Sequence, residues 1–247
     1  MNVILPMAGR GTRFSNFGYT TPKPFIEING KPMFIWALKS LEGLKVNNLF
    51  IIVLEEHIIT YKLDYLLKKY CNYPYKIIAI KNITEGQLCT VIEAEKYINL
   101  QEDILIISSD TLVISNINDF INDSNQKIDG IISTMESEIG NNWSFVKIDK
   151  NENVIEVAEK NRISNNISTG LYYFKSSCKF FQYSHKLIEN NIRVNGEFYI
   201  IPVYSLMLDD GLNLRIANSI QMWDMGNPEA KQNFEEALNN KLVLIND

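Results

Sequence analysis

Cysteine is scarce in this chain of 247 residues: Cys71, Cys89 and Cys178 are odd in number, widely spaced and without a Cys-x-x-Cys. That argues against a disulfide framework and against a zinc site, and it fits a reducing cytoplasm. Histidine is rarer still; His57 and His185 fall in segments of helical spacing outside every motif and read as structural. No run of 18 apolar residues occurs, so no membrane-spanning helix is expected. The amino end has no charged n-region followed by an apolar h-region, so no signal peptide is expected either. Internal repeats and low-complexity linkers are missing. No Asp or Glu precedes Glu27, although the whole chain stands at −5. A cationic start on an acidic protein points to a small polyanion and away from nucleic acid.

What is present fits an α/β protein. Hydrophobic residues make up 46% and charged residues 21%, enough for one large domain with a substantial core. Val3-Ile4-Leu5 reads as a buried strand, and Pro6-Met7-Ala8-Gly9-Arg10-Gly11-Thr12-Arg13 follows it directly. Glycines beside arginines after a strand suggest backbone N–H groups converging on phosphate, with Arg10 and Arg13 adding charge-assisted bonds. An ordinary tight turn remains the alternative. Gly-x-x-x-x-Gly-Lys-Ser/Thr does not occur here, and Phe14 stands where a dinucleotide fingerprint needs its third glycine. Lys23 lies between the φ-restricted Pro22 and Pro24.

Further on, Pro32 opens a helix with Phe34, Ala37, Leu38 and Leu41 on one face, ended by Gly43. Strands are expected at 49–54, 75–80 and 104–107, with helices at 58–70 and 88–98 between them. The alternation predicts a parallel sheet with ligands beyond the carboxyl ends of its strands. Two motifs fall there. Glu85-Gly86-Gln87 sits at a strand-to-helix junction, where Gly86 could bring amides to a nucleobase; a capping box from Thr84 to Gln87 is the rival. Ser109-Asp110 ends an apolar strand, where a carboxylate is poorly explained by packing and well placed for Mg²⁺. From about Gly130 strands predominate. A hairpin is expected from 143–148 and 154–158 through the turn-rich 149–153, and a strand over 168–174 holds Gly170. Helices at 176–190 and 198–208 come next, then a closing helix capped by Asn227 with Pro228 at its first position.

These motifs together resemble the sugar-phosphate nucleotidylyltransferases. Met7 to Arg13, Pro22-Lys23-Pro24-Phe25-Ile26 and Gly30-Lys31-Pro32-Met33 look like that family's signature, with Ala8 where it often has glycine. Glu85-Gly86 resembles its base-recognition loop, Glu159-Lys160 its acceptor motif, and Ser168 to Phe174 its strand beside the acceptor. Val194 to Tyr199 is a looser match to a segment lining the acceptor pocket. The resemblance implies a Rossmann-like, mostly parallel central sheet with helices on both faces and a small β-rich acceptor-binding insertion. Residues 1–135 would serve mainly the nucleotide and 136–247 mainly the acceptor, with no β-helix or regulatory domain after the closing helix.

Activity would be transfer of a nucleoside monophosphate from an NTP to a phosphorylated small molecule, releasing pyrophosphate, for surface-polysaccharide precursors. Asp110 and Asp224 would hold Mg²⁺, or Mn²⁺ in its place. Arg13 would meet the β- and γ-phosphates, and Lys23 the α-phosphate and the incoming phosphate. Pro6, Met7, Ala8, Gly9, Arg10, Gly11, Thr12, Glu85, Gly86, Gln87 and Ser109 would hold the nucleotide. Glu159, Lys160, Thr169, Gly170, Glu197 and Tyr199 would hold the acceptor. Nucleobase and acceptor stay open: a sugar 1-phosphate, or with CTP a phosphocholine or a phosphoamino acid such as phosphoglutamine. So does an assembly of two copies. A glycosyltransferase of related fold would need Asp-x-Asp at Asp110, where Ser108 and Leu112 stand, and a non-catalytic nucleotide-binding protein should lack one of the metal carboxylates.

Overall fold

The protein, seen in a computed structural model, is described over residues 1–9, 11–122 and 127–245. β1 (Asn2–Pro6) is buried along its whole length. A short helix α1 (Thr12–Ser15) and the small hairpin of β2 (Glu27–Ile28) and β3 (Lys31–Pro32) lead into α2 (Met33–Leu38). β4 (Asn48–Leu54), the helices α3 (Glu55–Thr60) and α4 (Leu63–Tyr70), β5 (Tyr75–Ile80), α5 (Gln87–Ile92) and β6 (Ile104–Ile107) follow. These strands lie in the order β5-β4-β1-β6, all parallel. The continuous apolar runs of β4 and β6 suit a sheet covered on both faces, while the edge strand β5 keeps Lys76 exposed. Successive residues serve opposite faces: Ile4, Phe50, Ile52 and Ile106 join one core cluster, and Val3, Leu5, Ile51 and Leu105 another.

Beyond β6 the chain forms β7 (Thr111–Ser115), α6 (Ile117–Asn122), β8 (Gly130–Glu136), β9 (Ser144–Ile148), β10 (Val154–Glu159) and β11 (Asn166–Phe174). It then makes α7 (Ser177–Glu189), α8 (Ile201–Asp209), β12 (Leu214–Asp224) and α9 (Pro228–Asn239). β11 inserts antiparallel between β6 and β8, and β12 runs parallel to β8, so most strands of the large sheet point one way. The β9–β10 hairpin, the β-rich addition, leans on β11 through Ile167 and Phe145.

β12 decides the geometry of the site. Its first half, from Leu214 to Asn218, pairs with β8; its second half crosses over and pairs antiparallel with β7, Asp224 opposite Thr111. Neither β7 nor β12 is expected from the sequence. Leu214 to Asp224 alternates poorly because its two halves belong to different pairings, and its exposure switches partway.

Three helices differ from expectation. The helix expected over 58–70 is two, because Lys62 takes a left-handed conformation (φ 51°) and Tyr61 stacks on Phe25 at 4.6 Å. The helix expected over 88–98 stops at Ile92, and a 3₁₀ turn at Glu95–Tyr97 completes the segment. The helix expected from Phe198 begins at Ile201, because the backbone of Phe198 is bonded instead to Glu85 and Leu88. The closing helix behaves as expected, with the Asn227 side chain accepting from the Ala230 amide at 3.0 Å and Pro228 at its first position.

α8 is anchored across the sheet by Tyr204. Its buried hydroxyl lies 3.0 Å from both the Ile131 and Tyr173 carbonyls, and its ring stacks on Phe174 at 4.4 Å. Tyr204→Phe keeps the stacking and leaves the hydroxyl's partners without their donor. It should lower the free energy of unfolding in urea by about 1–3 kcal/mol with the helix content seen by circular dichroism unchanged.

Candidate active site

Two cavities open beyond the carboxyl ends of β1 and β6, of about 680 and 310 Å³. Arg13, Ser108 and Asp110 line both, so the two spaces meet there. Pro6, Ala8, Gly9, Gly11 and Thr12 line the larger cavity, as do Lys23 and Ser109. Glu85, Gly86 and Gln87 line it from the loop before α5. Met7 does not fit its expected part: its side chain is buried in the core and its amide bonds to the Ile52 carbonyl at 2.7 Å. Position 7 still sits on the strand's last pleat, and alternation turns its side chain inward. Arg10 lies outside the described residues.

Glu159, Thr169, Gly170 and Asp224 line the smaller cavity. Glu197 and Tyr199, grouped with them in the sequence, line the larger one instead, because Phe198 is stitched to the loop before α5. Lys160 links the two sets. Its backbone is left-handed (φ 54°), its ammonium donates to the Tyr199 hydroxyl, and that hydroxyl donates to Glu197 at 2.7 Å. Glu159 turns the other way and accepts from the Ser144 hydroxyl. Burial raises the Glu159 carboxyl above the ordinary glutamate range, and the charge of Glu197 adds to this against the pull of Ser144 and Lys160.

Two glycines have closer neighbours than the sequence anticipates. At Gly86 (φ 144°) a Cβ would stand 2.4 Å from the Phe198 carbonyl oxygen, so the missing side chain admits protein backbone. The Thr84 hydroxyl bonds to the Gly86 carbonyl and no capping box forms. At Gly170 (φ 87°) a Cβ would meet Ser108 Oγ at 2.4 Å, beside a register shift in β11. Bulge and close approach are one feature there.

The electrostatic centre is the pair Asp110 and Asp224. The β12–β7 register sets Asp224 opposite Thr111, and the Met225 amide donates to the Asp110 carbonyl at 2.8 Å. An ideal Cβ on Gly226 would lie 2.9 Å from Asp224 Oδ1, 3.1 Å from Asp110 Oδ2 and 3.3 Å from Arg13 Nη1. The two carboxylate oxygens are therefore at most about 6 Å apart, within the span one ion with oxygen bonds of about 2.1 Å can bridge with modest side-chain movement. Lys23 Nζ meets Asp110 Oδ2 at 2.6 Å. Burial opposes the Asp110 charge, but Lys23 and, behind it, Arg13 outweigh burial and hold this carboxyl below the usual aspartate range. Asp224 goes the other way: burial first, then the negative charge of Asp110, push it up to about 6 despite the Gly226 amide, Lys23 and Arg13. Two partly buried carboxylates that cannot both ionise comfortably have the chemistry that a bound cation would relieve. Among the described residues no cluster of three or more His, Cys, Asp or Glu forms, so ligand oxygens and water would complete the coordination.

Arg193 carries no motif and escapes the sequence reading. It pairs with Glu85 at 2.5 Å, with its guanidinium 3.9 Å above the Phe198 ring, and lines the larger cavity. Met222, in the smaller cavity, escapes because its strand does. Among the described residues no helix is long and apolar enough to cross a membrane.

Comparison with known proteins places the chain in a family and matches its fold. The family model for nucleotidyl transferases matches residues 1–240. The bifunctional protein GlmU of Methanocaldococcus jannaschii is 28% identical over 180 residues, which cover 70% of this chain and 40% of that protein. The chain thus spans about 40% of the length of such GlmU relatives. The UTP–glucose-1-phosphate uridylyltransferase AglF of Haloferax volcanii is 23% identical over 249 residues, 96% of each chain. A nucleoside-diphosphate-sugar pyrophosphorylase from Vibrio cholerae RC9 superimposes with a TM-score of 0.80 at 25% identity, over 95% of this chain and 99% of its own. The inositol-1-phosphate CTP transferase from T. maritima shares the fold with a TM-score of 0.77 at 14% identity, over 100% and 98%.

The raised Asp224 carboxyl has a measurable cost. A group with a folded-state value near 6 gives up stability as pH rises through the interval from its unfolded value to that point. In metal-free protein at pH 7.5, Asp224→Asn should therefore raise Tm by several degrees, since 1 kcal/mol moves a domain of this size by about 2–4 °C. That gain should fade on acidification below pH 6, where Asp224 is itself neutral. A variant that melts lower than the parent at pH 7.5 would mean that Asp224 is held by its partners more than it is repelled.

Proposed function

For a chain that belongs to the nucleotidyl transferase family, and is an enzyme of that class, we propose transfer of a nucleoside monophosphate from an NTP to a phosphorylated small molecule, one domain serving both substrates. The observation that carries this reading is the meeting of two cavities at Arg13 and Asp110, with Asp224 on the side of the smaller. The larger holds the NTP and the smaller the acceptor.

An oxygen of the acceptor's phosphate attacks the α-phosphorus, a new P–O bond forms, the bond from the α-phosphorus to the bridging oxygen breaks, and pyrophosphate leaves. The nucleophile is a phosphate monoester with a second pKa of about 6, so it arrives largely ionised and needs no base. Among the described residues that line the cavities there is no histidine. Catalysis then lies in alignment and charge. Lys23, held between two prolines and already beside Asp110, binds the α-phosphate and the incoming phosphate. Arg13 binds the β- and γ-phosphates, and the backbone around Gly9 and Gly11 approaches the triphosphate. Asp110 and Asp224 would hold Mg²⁺, or Mn²⁺, whose charge would offset the negative charge developing in the reaction. Lys160, next to Glu159, binds the acceptor.

A sugar 1-phosphate is the acceptor this reading favours, giving a nucleotide sugar of the kind used for surface polysaccharides. Half-buried Glu159 and the polar residues around it suit hydroxyl groups. A second reading, CTP with phosphocholine or a phosphoamino acid, draws on Trp143 and Glu159 in the same cavity, an aromatic face and a carboxylate suited to an ammonium group. Pyrophosphate release measured from each of CTP, UTP, dTTP and GTP against a panel of phosphorylated acceptors decides between them. Release should vanish with a chelator and return with Mg²⁺ or Mn²⁺. Consumption of a nucleotide sugar without pyrophosphate would instead mark a glycosyltransferase.

Two substitutions separate the halves. Arg13→Ala should lower kcat about 10²–10³-fold, as for loss of one preorganised charge donor, and raise KM for the NTP. Lys160→Ala should raise KM for the acceptor and leave NTP affinity by calorimetry nearly unchanged. Loss of NTP affinity in the second variant would move Lys160 to the nucleotide side.

A further inference from the structure

The connection between β8 and β9, residues 137–143, supplies Gly140, Asn142 and Trp143 to the smaller cavity. Left to itself it has little to hold it. Residues 138–142 are exposed, Ile139 to 80%. Its backbone is tied near the two ends, where the Ser137 amide reaches the Asn165 carbonyl at 2.8 Å and the Trp143 carbonyl receives the Lys160 amide at 2.9 Å.

Arg162 spans the interval. Its Nη1 lies 2.9 Å from the Ser137 carbonyl, its Nη2 2.6 Å from the Gly140 carbonyl and its Nε 3.4 Å from Asn141 Oδ1. Nη1 also reaches the Ser164 carbonyl at 3.2 Å and Asn165 Oδ1 at 3.3 Å, and the guanidinium lies 4.8 Å above the Phe145 ring. Only a planar fork with five donors can meet this many acceptors from one fixed position. The Gly140 contact matters most. Gly140 is left-handed (φ 81°), and a Cβ there would stand 3.1 Å from Trp143 Nε1, so the indole rests against Gly140. Fixing the Gly140 carbonyl fixes the surface on which Trp143 lies.

We propose that Arg162 is a positioning residue for the acceptor: it touches no substrate, and it holds the 137–143 connection so that Asn142 and Trp143 form a preset wall of the acceptor cavity. This rests on the smaller cavity being the acceptor site. A preset wall spares the acceptor the entropy of ordering seven residues on binding.

The test compares the parent with Arg162→Ala, Arg162→Lys and Gly140→Val, all checked for folding by Tm. In the first arm, hydrogen exchange of the peptide covering 137–143 is followed without substrate. Exchange should speed up about tenfold or more in Arg162→Ala, as expected for local opening of a segment with few other ties, and lysine should restore little of the protection. In the second arm, KM is measured for the NTP and for the acceptor that gives the fastest pyrophosphate release in the parent. The acceptor KM should rise about tenfold or more in Arg162→Ala, and in Gly140→Val through displacement of Trp143, with NTP KM within twofold of the parent. Unchanged exchange overturns the proposal, as does full recovery with lysine or an equal rise in both KM values. If the parent releases no pyrophosphate with any acceptor, the proposed function fails, and the exchange arm still decides whether Arg162 orders the connection.

Discussion

Two carboxylates brought together against their own repulsion set the terms for the whole centre. Asp110 is tolerable there because Lys23 sits at 2.6 Å; Asp224 is not fully compensated and keeps its proton up to about pH 6. Folding would not assemble such a pair by attraction between the side chains. It is assembled by backbone: the antiparallel register of β12 on β7 and the bond from the Met225 amide to the Asp110 carbonyl. The apolar clusters beneath, with Leu112, Met225 and Phe234 packed together, supply the energy that holds the charges in place. Stability spent at a site of this kind is recovered when a cation and anionic substrates fill it.

The parallel half of the fold was plain in the sequence. The runs at 49–54 and 104–107 are apolar throughout, and 75–80 is interrupted only by Lys76. Caps at Asn227 and Pro228 and the turn at 149–153 were equally direct, because each depends on a few adjacent residues. What could not be read depends on partners remote in the chain. Lys62 breaks a helix whose periodicity runs straight through it, and β12 conceals a change of partner inside one strand.

The same division holds at the site. Motif residues around Gly9, Asp110 and Glu159 do come to the two cavities, because they lie at strand ends and topology carries strand ends to one rim. Met7 was grouped by adjacency and turns inward by pleat. Glu197 and Tyr199 were grouped by order along the chain, and the stitch between Phe198 and the Glu85–Leu88 backbone takes them to the other cavity. Gly86 and Gly170 do line the cavities, and what the motif does not tell is that the side chain each lacks also leaves room for the protein itself. Arg162 and Arg193 act through backbone carbonyls, a carboxylate and aromatic faces that only the folded chain supplies.

The two cavities share a junction and little else. Apart from the junction at Arg13, Ser108 and Asp110 and the 222–227 segment, which gives Gly226 to the larger cavity and Asp224 to the smaller, the described segments that wall the smaller one, 140–144 and 168–172, are not in the wall of the larger. Under the proposed function the two substrate preferences would be separable traits. A lineage with that function could exchange one acceptor for another by altering a hairpin and a bulge, with the loop after β1 and the paired carboxylates inherited untouched.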